Sequence, residues 1–391
     1  MSLKQLIATA FIICLITVFS SCKKEEITES FVRGGNALIQ TNDGNILVAG
    51  YNVSSSNGFE AALVLTNQLG VVTWSKMYGG YFSDALFSVK NARDGGYIAS
   101  GFSNTNMASS PRLLVLRTDA SGDQQWAYAN YSNNSFSQGF CIIPHADSGY
   151  LVTGYIQTSG SADRDIYLLR INENGEKLWD KRYIFTSSAP YDSIYEEAYS
   201  IIAAPDSGYF LTGSMHGYSN CCGKIFLMKV SETGDSLWTK IYNPGAGFSL
   251  LITNDGNIAI GGTSYGSTSD DMTIIKTDLE GNKIWSKIYG GTGYEYGSMM
   301  VTTTDDGYAI TGITESKGAG SQDVYLVRTN ASGDMIWDKT YGGGDIDEGL
   351  GLIQMSDGGF CITGISNSDG SSIFLNRTSA DGIQQWYSPI K

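Results

Sequence analysis

A chain of 391 residues with a net charge of −14, whose 25 basic residues are scattered rather than clustered, lacks the electrostatic footprint of a nucleic-acid groove. Hydrophobic residues at 42% suffice for a core, and 48 glycines and 24 tyrosines against 16% charged residues describe many strands joined by tight turns. The composition is all-β, and the length allows either several average domains or one large all-β unit.

The first segment reads as an export signal. Lys4 precedes an apolar run from Leu6 to Phe19. The run is shorter than the ~20 residues a membrane span needs and fits the apolar region of a secretory signal. Ser20, Ser21 and Cys22 follow, and this ending, FSSC, resembles the bacterial lipoprotein signal, in which small residues precede a cysteine that becomes the lipidated first residue of the mature chain. The alternative is an ordinary cleaved signal with an incidental cysteine. Residues 1–21 are therefore expected to be a signal peptide, and 22–33 a lipidated Cys22 with a polar tether. The tether, KKEEITES, is also similar to the Lys-acidic export signals of surface-displayed lipoproteins from Bacteroidetes-type bacteria. That resemblance implies an exported protein held by lipid in the cell envelope, at the outer membrane and open to the surface. With Cys14 and Cys22 so assigned, Cys141, Cys221, Cys222 and Cys361 are too few for a disulfide framework. The adjacent Cys221 and Cys222 suit a vicinal disulfide, two thiols, or pairing elsewhere.

Beyond the tether the chain repeats itself. All seven tryptophans, Trp74, Trp126, Trp179, Trp238, Trp285, Trp337 and Trp386, recur at a mean spacing of ~52 residues in phrases such as DLEGNKIWSKIYGG. Each phrase is preceded by three further segments. An apolar stretch runs into an Asp/Gly turn, with aligned acids Asp43, Asp94, Asp147, Asp206, Asp255, Asp305 and Asp357. A second strand closes on Gly50, Gly101, Gly154, Gly213, Gly262, Gly312 or Gly364, and a third follows a variable Ser/Gly/Asn-rich loop. Asp-Gly and Asp-x-Gly links between alternating runs are hairpin chemistry. Four antiparallel strands occurring seven times at this period predict a single seven-bladed β-propeller over residues 34–391, in preference to a β-solenoid or stacked sandwiches. One indole per unit is expected to cover the seam to the next blade. Arg117, Arg170, Lys229, Lys276, Arg328 and Arg377 in the third strand, and the lysines two residues after Trp, are expected to form cross-strand pairs. Phe31 to Gly35, FVRGG, resembles the end of a Trp strand and is a candidate for closing the ring.

The repeated unit, with its DGGY turn and its G-x-x-x-W-x-K-x-Y-G-G ending, resembles the tandem propeller repeats of secreted and lipid-anchored proteins from Bacteroidetes-type bacteria. The turn-plus-Trp piece is also similar to the tryptophan-docking motif of quinoprotein dehydrogenases and of the outer-membrane assembly lipoprotein. The turn is one residue shorter here, and seven units replace eight, which counts against transferring a quinone cofactor.

A residue present in every unit serves the unit, whereas departures are free for other work. The long loops of a propeller lie on the face opposite the tight turns, and binding concentrates on such loops. Tyr81, Tyr131, Tyr191, Tyr195, Tyr218, Tyr265, Tyr294 and Tyr296 fall there. The longest interval between tryptophans adds Asp192, Glu196 and Glu197, so that Tyr191, Asp192, Tyr195, Glu196 and Glu197 form the leading candidate patch. Tyrosines among serines and acids suit glycan or peptide surfaces; packing at strand ends is the alternative. Acids also recur just before the inner strands at Asp84, Glu196, Glu295 and Asp347, with Asp345 and Glu348 nearby. They fit either a partial carboxylate ring able to hold Ca²⁺ or hydrogen bonds to backbone N–H groups; no cofactor is otherwise expected. His145 and His216 sit in no recognisable catalytic motif, and no P-loop or dinucleotide fingerprint is present. The expected function is a non-catalytic binding or scaffold module with a glycan or protein ligand on the long-loop face, touching the membrane through its lipid alone. The alternative is a glycan-cleaving hydrolase or lyase using the channel-mouth acids, with a quinone-dependent dehydrogenase behind it.

Overall fold

The computed structural model describes residues 34–53, 58–80, 83–104, 111–130, 135–158, 160–161, 163–185, 194–217, 223–370 and 372–390. The signal, Cys22, the tether, Tyr81, Tyr131, Tyr191, Asp192, Tyr218, Cys221 and Cys222 lie outside them.

Asp/Gly turns and apolar alternation produce 27 strands among the described residues. The first sheet comprises β1 (Gly34–Gln40), β2 (Ile46–Val53), β3 (Phe59–Thr66) and β4 (Val72–Tyr78); the second β5 (Ala85–Asn91), β6 (Tyr97–Ser103), β7 (Arg112–Thr118) and β8 (Gln124–Ala129). The third comprises β9 (Phe136–Pro144), β10 (Tyr150–Gln157), β11 (Asp165–Ile171) and β12 (Lys177–Tyr183). Next come β13 (Ile194–Ala203), β14 (Tyr209–Gly217), β15 (Lys224–Val230), β16 (Ser236–Ile252), β17 (Ile258–Tyr265), β18 (Asp270–Thr277) and β19 (Lys283–Tyr289). The last two sets are β20 (Glu295–Thr302), β21 (Tyr308–Thr314), β22 (Asp323–Thr329) and β23 (Met335–Tyr341), then β24 (Asp347–Gln354), β25 (Phe360–Ser366), β26 (Ser372–Thr378) and β27 (Gln384–Ile390).

Strands follow chain order in five four-stranded sheets and one seven-stranded sheet, every pair antiparallel. In the larger sheet β16 runs unbroken for 17 residues. Its first half pairs with β15 as an outermost strand, and its second half, from Gly245, pairs with β17 as an innermost one. The innermost strands β1, β5, β9, β13, β16, β20 and β24 pack each on the next, and β24 packs back on β1. The sheets therefore stand in a closed ring around a central channel.

The seams explain the tryptophans. Each indole lies against the positive-φ glycine in the outer turn of the following unit: Trp74 on Gly122, Trp126 on Gly175, Trp179 on Gly234, Trp238 on Gly281, Trp285 on Gly333 and Trp337 on Gly382. Trp386 completes the circuit on Gly70 of the first sheet, where Ser388 Oγ also donates to the Gly70 carbonyl at 2.8 Å. A Cβ on any of these glycines would strike the ring, so a flat indole demands a bare backbone there. Tyrosine hydroxyls tie several seams further, as Tyr78 does to Gly122 O at 2.6 Å and Tyr289 to Gly333 O at 2.7 Å.

Two expectations need correction. Lys76, Lys181 and Lys287 do not pair across strands of their own sheet; they reach over the seam to Asp123, Asp235 and Asp334 at 2.6, 2.9 and 3.0 Å. Five of the third-strand cations do pair within their unit, with the turn acids: Arg117 with Asp94, Lys229 with Asp206, Lys276 with Asp255, Arg328 with Asp305 and Arg377 with Asp357. Arg170 instead donates to the backbone carbonyls of Ser148 and Ile171. Ring closure does not use Gly34 and Gly35 as the end of a Trp strand, because they open the innermost strand β1. Phe31, Val32 and Arg33 lie outside the described residues. Closure is made by side chains, with Leu38, Ile46, Val48 and Val64 of the first sheet packing on Cys361, Ile373, Leu375 and Ile390 of the last.

Candidate ligand-binding site at the channel

The glycine closing each second strand has a steric reason. A Cβ at Gly50, Gly154 or Gly312 would lie 1.8, 1.8 or 1.7 Å from the carbonyl oxygen of the neighbouring innermost strand. That close approach accompanies a β-bulge, which gives the innermost strand one extra residue opposite its partner. Register shifts identify the bulged residues as Asn36, Phe87, Phe140, Tyr199, Phe248, Ser298 and Leu350. All seven are half-buried, on the strand edges that border the channel.

Four of them form an arc. Ring centroids are 5.5 Å apart for Phe87 and Phe140, 5.1 Å for Phe140 and Tyr199, and 4.9 Å for Tyr199 and Phe248. The remaining sector carries Asn36, Ser298 and Leu350, and the Asn36 amide donates to Leu86 O at 2.7 Å. Aromatic cover on one side and non-aromatic groups on the other make the channel asymmetric. Sequence reasoning missed this ring, although a signal existed: each bulged residue stands seven positions before its turn aspartate.

The Tyr199 hydroxyl donates to Glu197 at 2.5 Å, and burial, reinforced by Glu197, holds its pKa well above the ordinary phenol value. Glu197 also pairs with Arg164, whose guanidinium lies over the rings of Tyr155 and Tyr195 at 4.6 and 5.3 Å. Tyr195 is thus anchored beside the aromatic arc. Tyr294 and Tyr296 stack at 6.4 Å with nearly parallel rings at the start of β20. Asp345 is exposed before β24, its N–H donating to Ser368 Oγ at 3.1 Å. These candidates share one face of the ring but occupy different sectors of it.

The acids are placed otherwise. Asp84 accepts from Gly80 and Asn104 N–H, both at 3.1 Å, and Glu196 from Phe185 N–H at 3.1 Å. Glu295 accepts from Gly291 N–H and Thr314 Oγ1 at 2.7 Å, and Asp347 from Gly343 N–H at 2.8 Å and Ser368 Oγ at 2.7 Å. All four are buried. They clamp the link from the preceding sheet, and Asp84, Glu295 and Asp347 also hold the loop after the second strand, so their recurrence follows from the repeat. Among the described residues no group of three or more His, Cys, Asp and Glu side chains is arranged to hold a metal ion. His145 flanks the β9–β10 turn, and His216 stands one residue before the end of β14.

Glu348 differs from these acids. It lies two residues before the bulged Leu350, accepts no hydrogen bond among the described residues, and burial pushes its carboxyl up to about 7. A carboxyl raised above its unfolded value favours the folded state while protonated. Its contribution is full below the ordinary Glu value and is lost as pH rises towards 7. Glu348→Gln is therefore expected to match the wild type at pH 4 and to exceed it at pH 8 by about 1–2 kcal/mol, discounted for partial solvent contact. Urea unfolding at the two pH values checks this, and a variant equally stable or weaker at pH 8 would refute it.

A closed ring of antiparallel sheets, each lending its innermost strand to a central channel, is a β-propeller. No protein-family model matches the chain, and no curated protein matches it in sequence. Solved structures are similar to it in shape. The periplasmic gluconolactonase PpgL of Pseudomonas aeruginosa is similar with a TM-score of 0.56 at 14% identity, over 89% of this chain and 95% of that one. A polysaccharide lyase acting on ulvan gives 0.55 at 10% identity, over 93% and 96%. Sqt1 of Chaetomium thermophilum, bound to the N-terminus of a ribosomal protein, gives 0.51 at 10% identity, over 91% and 87%. At such identities the likeness is one of fold, and the neighbours include both enzymes and a peptide-binding propeller.

Proposed function

We propose that the chain is a seven-bladed propeller, exported and held by lipid on Cys22 at the outer membrane, which binds a glycan or protein ligand without catalysis where the channel opens on the long-loop face. The observation that carries this reading is the half-exposed arc of Phe87, Phe140, Tyr199 and Phe248. Rigid aromatic faces with a polar tip suit sugar rings and peptide side chains, while Glu196, Glu295 and Asp347 are occupied by backbone N–H groups. The blade number rests on the circuit of Trp–Gly seams, with β16 serving as outer strand of one blade and inner strand of the next. The anchor rests on the FSSC ending.

The Cys22→Ser variant supplies the unlipidated protein for the test, and its persistence in the membrane fraction would sink the anchor. A thermal-shift panel of oligosaccharides and extended peptides follows. A ligand at about 100 times its Kd stabilises by roughly 2.7 kcal/mol. One ligand class is expected to raise the melting temperature of the parent and not of Phe140→Ala. No shift with either class, or one that survives the substitution, overturns the channel site. A second reading, glycan cleavage, is favoured by Glu348, a carboxyl that accepts no hydrogen bond among the described residues and that burial pushes up to about 7. Turnover of a bound oligosaccharide, lost in Glu348→Gln, would replace binding by catalysis.

A further inference from the structure

A cavity of about 330 Å³ lies at the seam between the last two four-strand sets, away from the aromatic arc. Its walls include the rings of Tyr341, Phe374 and Tyr387 and the carboxyl groups of Asp347 and Asp369, with no lysine, arginine or histidine among the described residues. Phe374 and Tyr387 stack at 5.6 Å with an interplanar angle of 22°, and the Tyr387 hydroxyl bonds the Asp369 carboxylate.

The preceding unit shows what the same positions do elsewhere in this chain. Lys317 stands five residues after Gly312, as Asp369 does after Gly364. Tyr325 precedes Arg328 as Phe374 precedes Arg377, and Asp338 follows Trp337 as Tyr387 follows Trp386. In that unit the Lys317 ammonium pairs with Asp338, lies 5.3 Å from the Tyr325 ring centroid and 3.3 Å from its hydroxyl, and so fills the space with the chain's own cation. The last unit keeps an aromatic wall and a carboxylate but has exchanged the lysine for an acid. Asp369 forms no ion pair among the described residues.

A second observation lies behind the cavity. Asn376, wholly buried, has neither amide nitrogen nor oxygen partnered. It is the cross-strand partner of Tyr387 and lies two residues from Phe374, on the same side of the sheet. Leu116, Leu169, Met228, Ile275 and Val327 hold the matching register in other units. A polar side chain at an apolar position, unsatisfied among the described residues and on the side of the sheet that carries Phe374 and Tyr387, leaves hydrogen-bonding capacity next to that ring pair.

We propose that this seam cavity is a second binding site, which takes a protonated amine on the stacked Phe374 and Tyr387 rings with Asp369 as counter-ion. Aromatic faces attract an ammonium electrostatically, and an uncompensated carboxylate at the rim adds a charge-assisted hydrogen bond. The amine is either a free alkyl amine or a lysine side chain on a partner chain.

Calorimetry on the full chain tests this with acetyl-Gly-Lys-Gly-amide, its norleucine counterpart and cadaverine. The lysine peptide binds, the norleucine peptide does not, and Asp369→Asn weakens binding about tenfold. Cadaverine binding as tightly as the peptide assigns the site to free amines; a much tighter peptide assigns it to a partner's lysine. The double variant Asp369→Lys, Tyr387→Asp rebuilds the Lys317 arrangement and abolishes binding while melting as a folded protein. Phe140→Ala leaves the affinity unchanged, which separates this site from the channel. Equal binding of the norleucine peptide, an unaffected Asp369→Asn, retention in the double variant, or no binding of either amine at about 10 mM, ten times a millimolar Kd, overturns the proposal.

Discussion

Gly213→Ala is expected to be among the most damaging single-atom additions in the ring. The new Cβ would sit 1.8 Å from the Glu197 carbonyl oxygen, a backbone atom on the neighbouring innermost strand. No rotamer change relieves that contact, so either the bulge flattens or the two strands part. The cost is on the order of 3–5 kcal/mol, the upper end for point substitutions. Flattening the bulge would also turn Tyr199 away from Phe140 and Phe248, so ligand binding at the channel should fall in the fraction that still folds. Gly344→Ala is the control, since a Cβ there meets nothing within 4 Å; it should stay within about 0.5 kcal/mol of the parent. Equilibrium urea unfolding compares the two, and a Gly213→Ala midpoint matching that of Gly344→Ala would show that the bulge is not imposed by this glycine.

Trp386→Ala is the second large effect. This indole is half-buried on Gly70 and helps close the ring between the last and first sheets. Removing it leaves a void against a bare backbone and costs about 2–4 kcal/mol, somewhat less than a fully buried tryptophan would. Trp285→Ala makes the same change at a seam whose flanking units are joined by the chain. Because no peptide link spans the closing seam, Trp386→Ala should in addition expose the first and last sheets to protease ahead of the others. Equal and uniform proteolysis of both variants would falsify a special role for the closing seam.

The two substitutions bracket what was readable. Gly213 and Trp386 both stand out in the sequence as repeat positions, and the hairpin turns, strand order and seam tryptophans follow from local rules: positive φ at Asp-Gly turns, alternation along strands, one large apolar ring per unit. Why Gly213 is required was not readable. Its reason lies in an atom of Glu197, sixteen residues away on another strand. Likewise Glu196, Glu295 and Asp347 were legible as recurring acids, but whether they faced a ligand or the backbone depended on where the link from the preceding sheet ran.

What the sequence by itself determined is the all-β repeat, its period and its mortar, because these rest on interactions between near neighbours. Tertiary structure alone decided the rest. Phe87, Phe140, Tyr199 and Phe248 look like ordinary strand residues until pairing is known, since one inserted residue reverses which way a side chain points. The run of β16 through two units, the return of Trp386 to Gly70 and the cavity beside Asp369 depend on which sheets meet. That is set by closure of the ring, a global property that no local stretch of residues encodes.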